Sequence, residues 1–416
     1  MPRKLLFAHL VLLFLFGIRL YLFSAFYPQL ATNQEVIFTT AILSQPSEFS
    51  NYNMLTANYG NLFSKKIVTV IYSKNISLNY GQVVRISGRI SNRVINTNQI
   101  RSTIYFAKIE AISENANFVL AVSNFIRQNA KKIFQKYLSP KETGLLLGII
   151  LGEKTTFSKD FLHSLQVAGV MHVIAASGMN VSLVAGFLFW MFSSFLSRKA
   201  AVLLTLLGIV FYAVLSGLAA SIIRATLMGV AALLAQLWGR QYSSLWGIVL
   251  AVFIMIFVNP NFIQDVGFQL SVLATIGIFG IKPLFPKHIF FEDIETTISA
   301  QIATLPILLS NFGNFGLLSI LANALVLWMI PILMILGCLS VAVGLLILPL
   351  GSLLTFIAKP FLLFFIFIVE NVAAVSPLVS VGTLPQILIV GYYLLLFATM
   401  LLLNKKPKLI NQDTGM

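Results

Sequence analysis

Charge is scarce in this chain: 10% of its 416 residues are Asp, Glu, Lys or Arg, against 58% that are apolar. So little polar surface cannot clothe one water-soluble globule of that size, which excludes soluble enzyme folds for most of the sequence. Cysteine is nearly absent. The single Cys338 sits inside an apolar run, which excludes a disulfide framework and a thiolate metal cage and leaves the redox compartment unread. Histidine is limited to His9, His163, His172 and His288, with no His-x-His-x-Asp or His-Glu-x-x-His spacing, so neither a metal-hydrolase site nor a cofactor is expected. There is no Gly-x-x-x-x-Gly-Lys-Ser/Thr loop, so nothing points to nucleotide hydrolysis.

What is abundant is apolar length. Runs of about 18 or more such residues recur from Val173 to Leu403, which predicts a polytopic α-helical membrane protein. Residues 1–31 read as an N-terminal membrane helix: Arg3 and Lys4 precede an apolar stretch from Leu5 to Phe26, and about 20 helical residues cross a ~30 Å hydrocarbon core. Arg19 is near enough to one end to snorkel, and an uncleaved anchor fits better than a signal peptide, whose apolar core is shorter.

From residue 32 to 115 the pattern changes to period two. Val36 to Leu43, Lys66 to Tyr72, Gln82 to Ile90 and Thr103 to Ile112 read as strands separated by Asn, Ser, Gly and Pro clusters. In the third run Val84, Ile86, Gly88 and Ile90 share one face and Arg85, Ser87 and Arg89 the other. A small oligonucleotide-binding (OB)-like barrel with a basic face is expected, a plain sandwich being the alternative. Between Thr32 and Leu138 twelve Lys/Arg face four acids, 12 − 4 = +8, about half of the net +15. Such a surplus favours a polyanion or an anionic membrane surface; an AT-rich genome rich in Lys, Asn and Ile codons is the bland explanation.

Residues 116–170 read as amphipathic and interfacial helices. Phe118 to Tyr137 places Phe118, Ala121, Val122, Phe125, Ile126, Ile133 and Phe134 on apolar positions, suited to a membrane face, and Leu145 to Gly169 reads as interfacial or re-entrant. The spans of a transmembrane domain fill residues 171–404, about ten in all with the first helix. They include Leu317 to Gly337 and Leu353 to Val375, with Cys338 to Leu350 either prolonging a span or re-entering. Residues 405–416 form a basic tail. With a cytoplasmic amino terminus, Arg198/Lys199, Arg240, Lys282/Lys287 and Lys405/Lys406/Lys408 all fall inside, both ends are cytoplasmic and the basic β domain is external.

Ionisable groups within spans need a reason. Arg224 lies about six residues into its span, where an arginine costs up to ~3 kcal/mol and should face protein or water unless it snorkels. Glu370 is the other intrusion, and pairing with Arg224 would relieve both. The run His172-Val-Ile-Ala-Ala-Ser177-Gly-Met-Asn180 opens a span with polar groups beside a glycine, suited to close helix approach or a wet lining. Ser177 as a nucleophile is a weaker alternative, since His172 sits about 140° round the helix from it. Asp265, Gln269 and Ser271 open another span, Asp265 equally suited to capping it.

These segments carry a resemblance. His172 to Gly186 (HVIAASGMNVSLVAG), Ser221 to Met228 (SIIRATLM) and Asn259 to Ser271 (NPNFIQDVGFQLS), together with Leu151-Gly152-Glu153, resemble in order and spacing the ComEC-type competence family of membrane DNA channels. Asn180 departs from the His that many relatives carry after the Ser-Gly pair. The resemblance implies inward transport of single-stranded DNA through the bacterial cytoplasmic (inner) membrane during natural transformation, with no enzymatic step in this chain. It implies a DNA receptor, a separate nuclease in place of the family's metallo-β-lactamase-like domain, and a cytoplasmic helicase motor as partners. Lys74, Arg85, Arg89 and Arg93 would then neutralise phosphates, and Tyr72, Tyr80, Tyr105 or Phe106 would stack bases if exposed, with strand alternation allowing only one of the last two to point outward. His172, Ser177, Asn180, Arg224, Asp265, Gln269, Ser271 and Glu370 would line the channel. The competing class is a secondary permease for a small anion with Arg224 at a midplane site; an intramembrane serine hydrolase is the third.

Overall fold

The computed structural model describes all residues except 1–2, 29, 44–45, 49–50, 61–63, 97–98, 115, 154–156, 175–177, 286–291, 313, 317, 377, 381–384 and 404–416. They form two compact units. The first comprises residues 1–162, 171–265 and 326–368, the second residues 163–170, 266–325 and 369–416.

The first unit opens with α1 (Arg3–Ala25). Seven strands follow: β1 (Glu35–Ala41), β2 (Ser47–Glu48), β3 (Tyr52–Gly60), β4 (Lys65–Ser73), β5 (Val83–Asn96), β6 (Gln99–Ile104) and β7 (Lys108–Ser113). They make one sheet in the order β1-β5-β6-β4-β3-β2, with β7 also on β5, and β4 and β6 run parallel. The long β5 pairs with β1 and β7 along its first half and with β6 along its second. Its alternation is the one the sequence predicts: Val84, Ile86 and Ile90 are buried in a core with Val36, Leu55, Val68, Val70, Tyr72 and Ile104, while Arg85 and Arg89 are exposed. Gly88 lets the Ile104 side chain approach the backbone of β5 closely, because a Cβ there would collide with it.

Two differences from the expected strands have local causes. On its inner face β3 buries Leu55 and Ala57 alongside Asn53, with Tyr59 only partly buried, so its hydrophobic signal is weak. The predicted strand Thr103 to Ile112 is two strands, β6 and β7, broken at Tyr105-Phe106.

The helices are α2 (Phe118–Gln135), α3 (Pro140–Leu151), α4 (Lys159–Val167), α5 (Met171–Ile174), α6 (Gly178–Ser193), α7 (Arg198–Leu215), α8 (Ala220–Leu237), α9 (Ser244–Val258), α10 (Val266–Gly280) and α11 (Glu292–Phe312). After β8 (Asn314–Gly316) come α12 (Ser319–Val326), α13 (Met329–Leu346) and α14 (Leu348–Val375), then β9 (Leu378–Ser380) and α15 (Gln386–Leu403). Among the described residues five stretches are long and apolar enough to cross a bilayer: α7, α8, α10 with the turn after it, α13 and α14. Shorter apolar helices are Phe14–Ala25 within α1, α6, α9 and α15. The expected span Leu317 to Gly337 is instead two helices, α12 and α13, and α13 runs on past Cys338 to Leu346.

Helix ends explain several placements. α3 starts with a capping box: Ser139 Oγ accepts from the Glu142 N–H, Glu142 Oε2 accepts from the Ser139 N–H, and Pro140 occupies the first turn. It stops at Gly152, in the left-handed region at φ 73°. Arg19 donates to the carbonyls of Phe257 and Val258 at the end of α9, 2.9 Å each, where helix geometry leaves them unpaired.

The second unit packs α10 on α11 at Gly277, where a Cβ would clash with Ala303 and the Ser299 carbonyl. Pro306 in α11 has no N–H to offer the Ile302 carbonyl four residues back; the Tyr392 hydroxyl of α15 donates to it instead, 2.8 Å away.

Candidate functional site

The first unit concentrates its buried polar chemistry at one junction. α3 is buried from Glu142 to Leu151, yet its last carbonyls have no helical donor. Three side chains from elsewhere supply one each. Asn180 of α6 donates Nδ2 to Ile149 O at 2.7 Å, Tyr212 of α7 donates its hydroxyl to Ile150 O at 2.8 Å, and Arg127 of α2 donates Nη2 to Leu151 O at 3.4 Å. The end of α7 is held the same way: Arg127 Nε donates to Leu215 O (2.8 Å) and the Tyr80 hydroxyl to Val214 O (2.5 Å).

Arg127 is the hub. Its Nη1 is 3.0 Å from Glu153 Oε1, the two side chains being 6% and 4% exposed, and its guanidinium lies 4.3 Å from the centre of the Tyr80 ring. Burial is the main influence on Glu153 and pushes its carboxyl up; Arg127 and Lys131 pull it back. Burial likewise raises the Tyr80 phenol, against a smaller opposing effect of Arg127. A cavity of about 110 Å³ adjoins the pair, lined by Leu78, Asn79, Tyr80, Asn124, Arg127, Gln128, Lys131 and Glu153. One junction thus ties a β-domain loop, α2, the end of α3, and the turn from α7 into α8.

α2 meets this junction through one face. Its buried stripe is Leu120, Ser123, Arg127, Ala130, Ile133 and Phe134, while Phe118 and Phe125 are exposed. The steps of three and four from Leu120 to Phe134 were legible in the sequence, but an arginine among them reads as solvent-facing by residue type. Tyr80 is likewise a junction residue, not a stacking platform.

The expected nucleic-acid residues divide. Tyr72 is fully buried in the β core and offers no ring to a base. Lys74 is exposed on the turn after β4. Arg85 and Arg89 project from one face of β5, yet register places Glu35 opposite Arg89 and Glu110 opposite Arg85. Arg89 Nε pairs with Glu35 at 2.9 Å and Lys108 with Glu110 at 3.2 Å. That face is therefore much less basic than β5 alone indicates. Arg93 is opposite Arg101 in the β5–β6 register, its side chain lying outside the described residues. Tyr105 and Phe106 are both exposed, contrary to strict alternation, because β6 ends at Ile104.

The expected channel residues divide as well. Ser177 and the His172 side chain lie outside the described residues. Asn180 is buried at the junction. Arg224 is largely buried in α8, with Nη1 donating to Met228 Sδ at 3.4 Å; its Nη2 lies 3.3 Å from where a Cβ on Gly178 would be. Gly178 thus gives the guanidinium room beside the start of α6. Asp265 immediately precedes α10, on which Gln269 and Ser271 are half-buried. Glu370 is exposed on α14 and belongs to the second unit, whereas Arg224 belongs to the first.

A multi-pass helical bundle carrying a small curled β domain defines a class of membrane protein. Residues 149–406, more than half of the chain, match the family model "Competence protein", and the chain belongs to that family. It is 30% identical over 220 residues to ComE operon protein 3 of Bacillus subtilis (strain 168), covering 52% of this chain and 28% of that protein. It is 27% identical over 234 residues to an uncharacterized protein of Aquifex aeolicus (strain VF5), covering 55% of this chain and 52% of that one. The aligned stretches therefore span about half or less of those relatives. No solved structure matches the chain.

Proposed function

We propose that the chain is the membrane part of a DNA-uptake channel, passing single-stranded DNA inward across the bacterial cytoplasmic membrane during natural transformation. The observation that carries this reading is the match of residues 149–406 to the Competence protein family. The junction supports it, since a β domain whose Tyr80 bonds to the end of α7 and packs on Arg127 of α2 can hand a captured strand to the helices beside it. In this reading the β domain is external and OB-like, both chain ends are cytoplasmic, and Arg224 with the polar groups of α6 lines part of the path. A DNA receptor, a separate nuclease that removes the complementary strand, and a cytoplasmic helicase motor complete the process.

The test is binding of a labelled oligothymidylate by the full chain in nanodiscs across a salt series. Affinity should fall linearly on logarithmic axes, with Arg89→Ala reducing the slope by about 0.7 if that residue covers one phosphate. Glu35→Gln, which releases Arg89 from its carboxylate, should tighten binding. No binding at low salt would refute the proposal.

A further inference from the structure

We propose that Tyr105 and Phe106 form a stacking prong for unpaired bases, the place where a single strand first seats on the β domain. This rests on the reading that the chain handles single-stranded DNA. β6 ends at Ile104, which is wholly buried, and the chain returns to the core at Ala107, whose N–H donates to Ile71 O at 2.9 Å. The two residues between these anchors are held out of the core: Phe106 is 82% exposed and Tyr105 47%. Phe106 sits at φ 53°, a left-handed conformation rare for a bulky side chain. An exposed ring on such a backbone is the kind of local cost found at binding sites.

Placement selects the occupant. β4 starts at Lys65, whose carbonyl accepts a hydrogen bond from Asn261 just beyond α9, and Lys66 lies over the Tyr27 ring just beyond α1. β6 runs parallel to β4, pairing Val68 with Ser102 and Val70 with Ile104, so the prong is at the opposite strand ends from those helix contacts. Lys74 is exposed on the turn after β4, at the same strand ends; Lys108, which opens β7 two residues beyond Phe106, is paired with Glu110. Exposed ring faces at the same strand ends as the exposed Lys74 match the base and phosphate of a single strand, whereas a duplex keeps its base faces stacked inside.

The experiment uses the full chain in nanodiscs with oligothymidylate, the same sequence as a duplex, and vesicles containing anionic lipid. Phe106→Ala should weaken single-strand binding roughly tenfold without changing its salt slope, because no charge is removed. Phe106→Trp should retain affinity, and its fluorescence should be quenched when the oligonucleotide binds. Phe106→Ala binding the single strand as the wild type does would overturn the prong and leave the channel reading standing. Loss of vesicle binding with DNA binding intact would overturn it in favour of a membrane contact. If the wild-type chain binds no single strand at low salt, both proposals fall.

Discussion

Arg127 and Glu153 meet 3.0 Å apart, both side chains almost wholly buried, the arginine coming from the helix after the β domain and the glutamate from the segment after α3. The guanidinium also donates to Leu215 O and Leu151 O and faces Tyr80. A buried charge pair is tolerable only when its remaining donors are satisfied, and here they are spent on helix ends that lack donors of their own.

Removing one partner should therefore be worse than removing both. Arg127→Met or Glu153→Leu alone is expected to destabilise the first unit by ~3–5 kcal/mol, and the double variant to recover part of the loss. Thermal unfolding in detergent, followed for the two single variants and the double, measures the coupling; a strictly additive double variant would contradict it.

The pH dependence has a defined sign. Burial, outweighing Arg127 and Lys131, raises the Glu153 carboxyl above its ordinary 4.5, so the folded chain holds that proton more tightly than the unfolded one. The stability this gives is full below the unfolded value and is lost as pH rises through the raised folded value. Relative to Glu153→Gln, the wild type should lose melting temperature upward from about pH 4.5 and then level off. A constant difference across that window would count against a buried, raised carboxyl.

Asn180 and Tyr212 each complete one α3 carbonyl. Asn180→Leu and Tyr212→Phe should each cost ~1–3 kcal/mol, the penalty for a buried acceptor left unpaired. Hydrogen exchange at the amides near residues 149–151 should rise in both variants, with the β-domain core strands unchanged.

Gly178→Ala tests the fit around Arg224. The added methyl would sit 3.3 Å from both Arg224 Nη2 and the Ala225 Cβ, so one must give by a few tenths of an ångström. DNA uptake should fall with normal expression, and Arg224→Ala should lower it further. Unchanged uptake in Arg224→Ala would remove that residue from the transport path.

Much of the β domain was readable from side-chain alternation, as β5 illustrates, since a half-buried strand writes its two faces directly into the sequence. β3 escaped because Ala57 and Asn53 do the work of larger apolar residues on its inner face. The family could be read from short polar motifs within apolar spans, but long-range partners could not: Asn180 of one motif reaches Ile149, 31 positions away, and Arg127, outside the motifs, reaches Leu215, 88 away.

Apolar run length and composition by themselves determined that this chain lives in a membrane and carries a separate β domain, because lipid demands continuous apolar helices whatever their arrangement. Only the tertiary structure decided which charges are spent. An arginine reads the same in sequence whether it faces phosphate, water or an orphan carbonyl. Register across strands set Glu35 against Arg89, and helix packing buried Arg127 with Glu153.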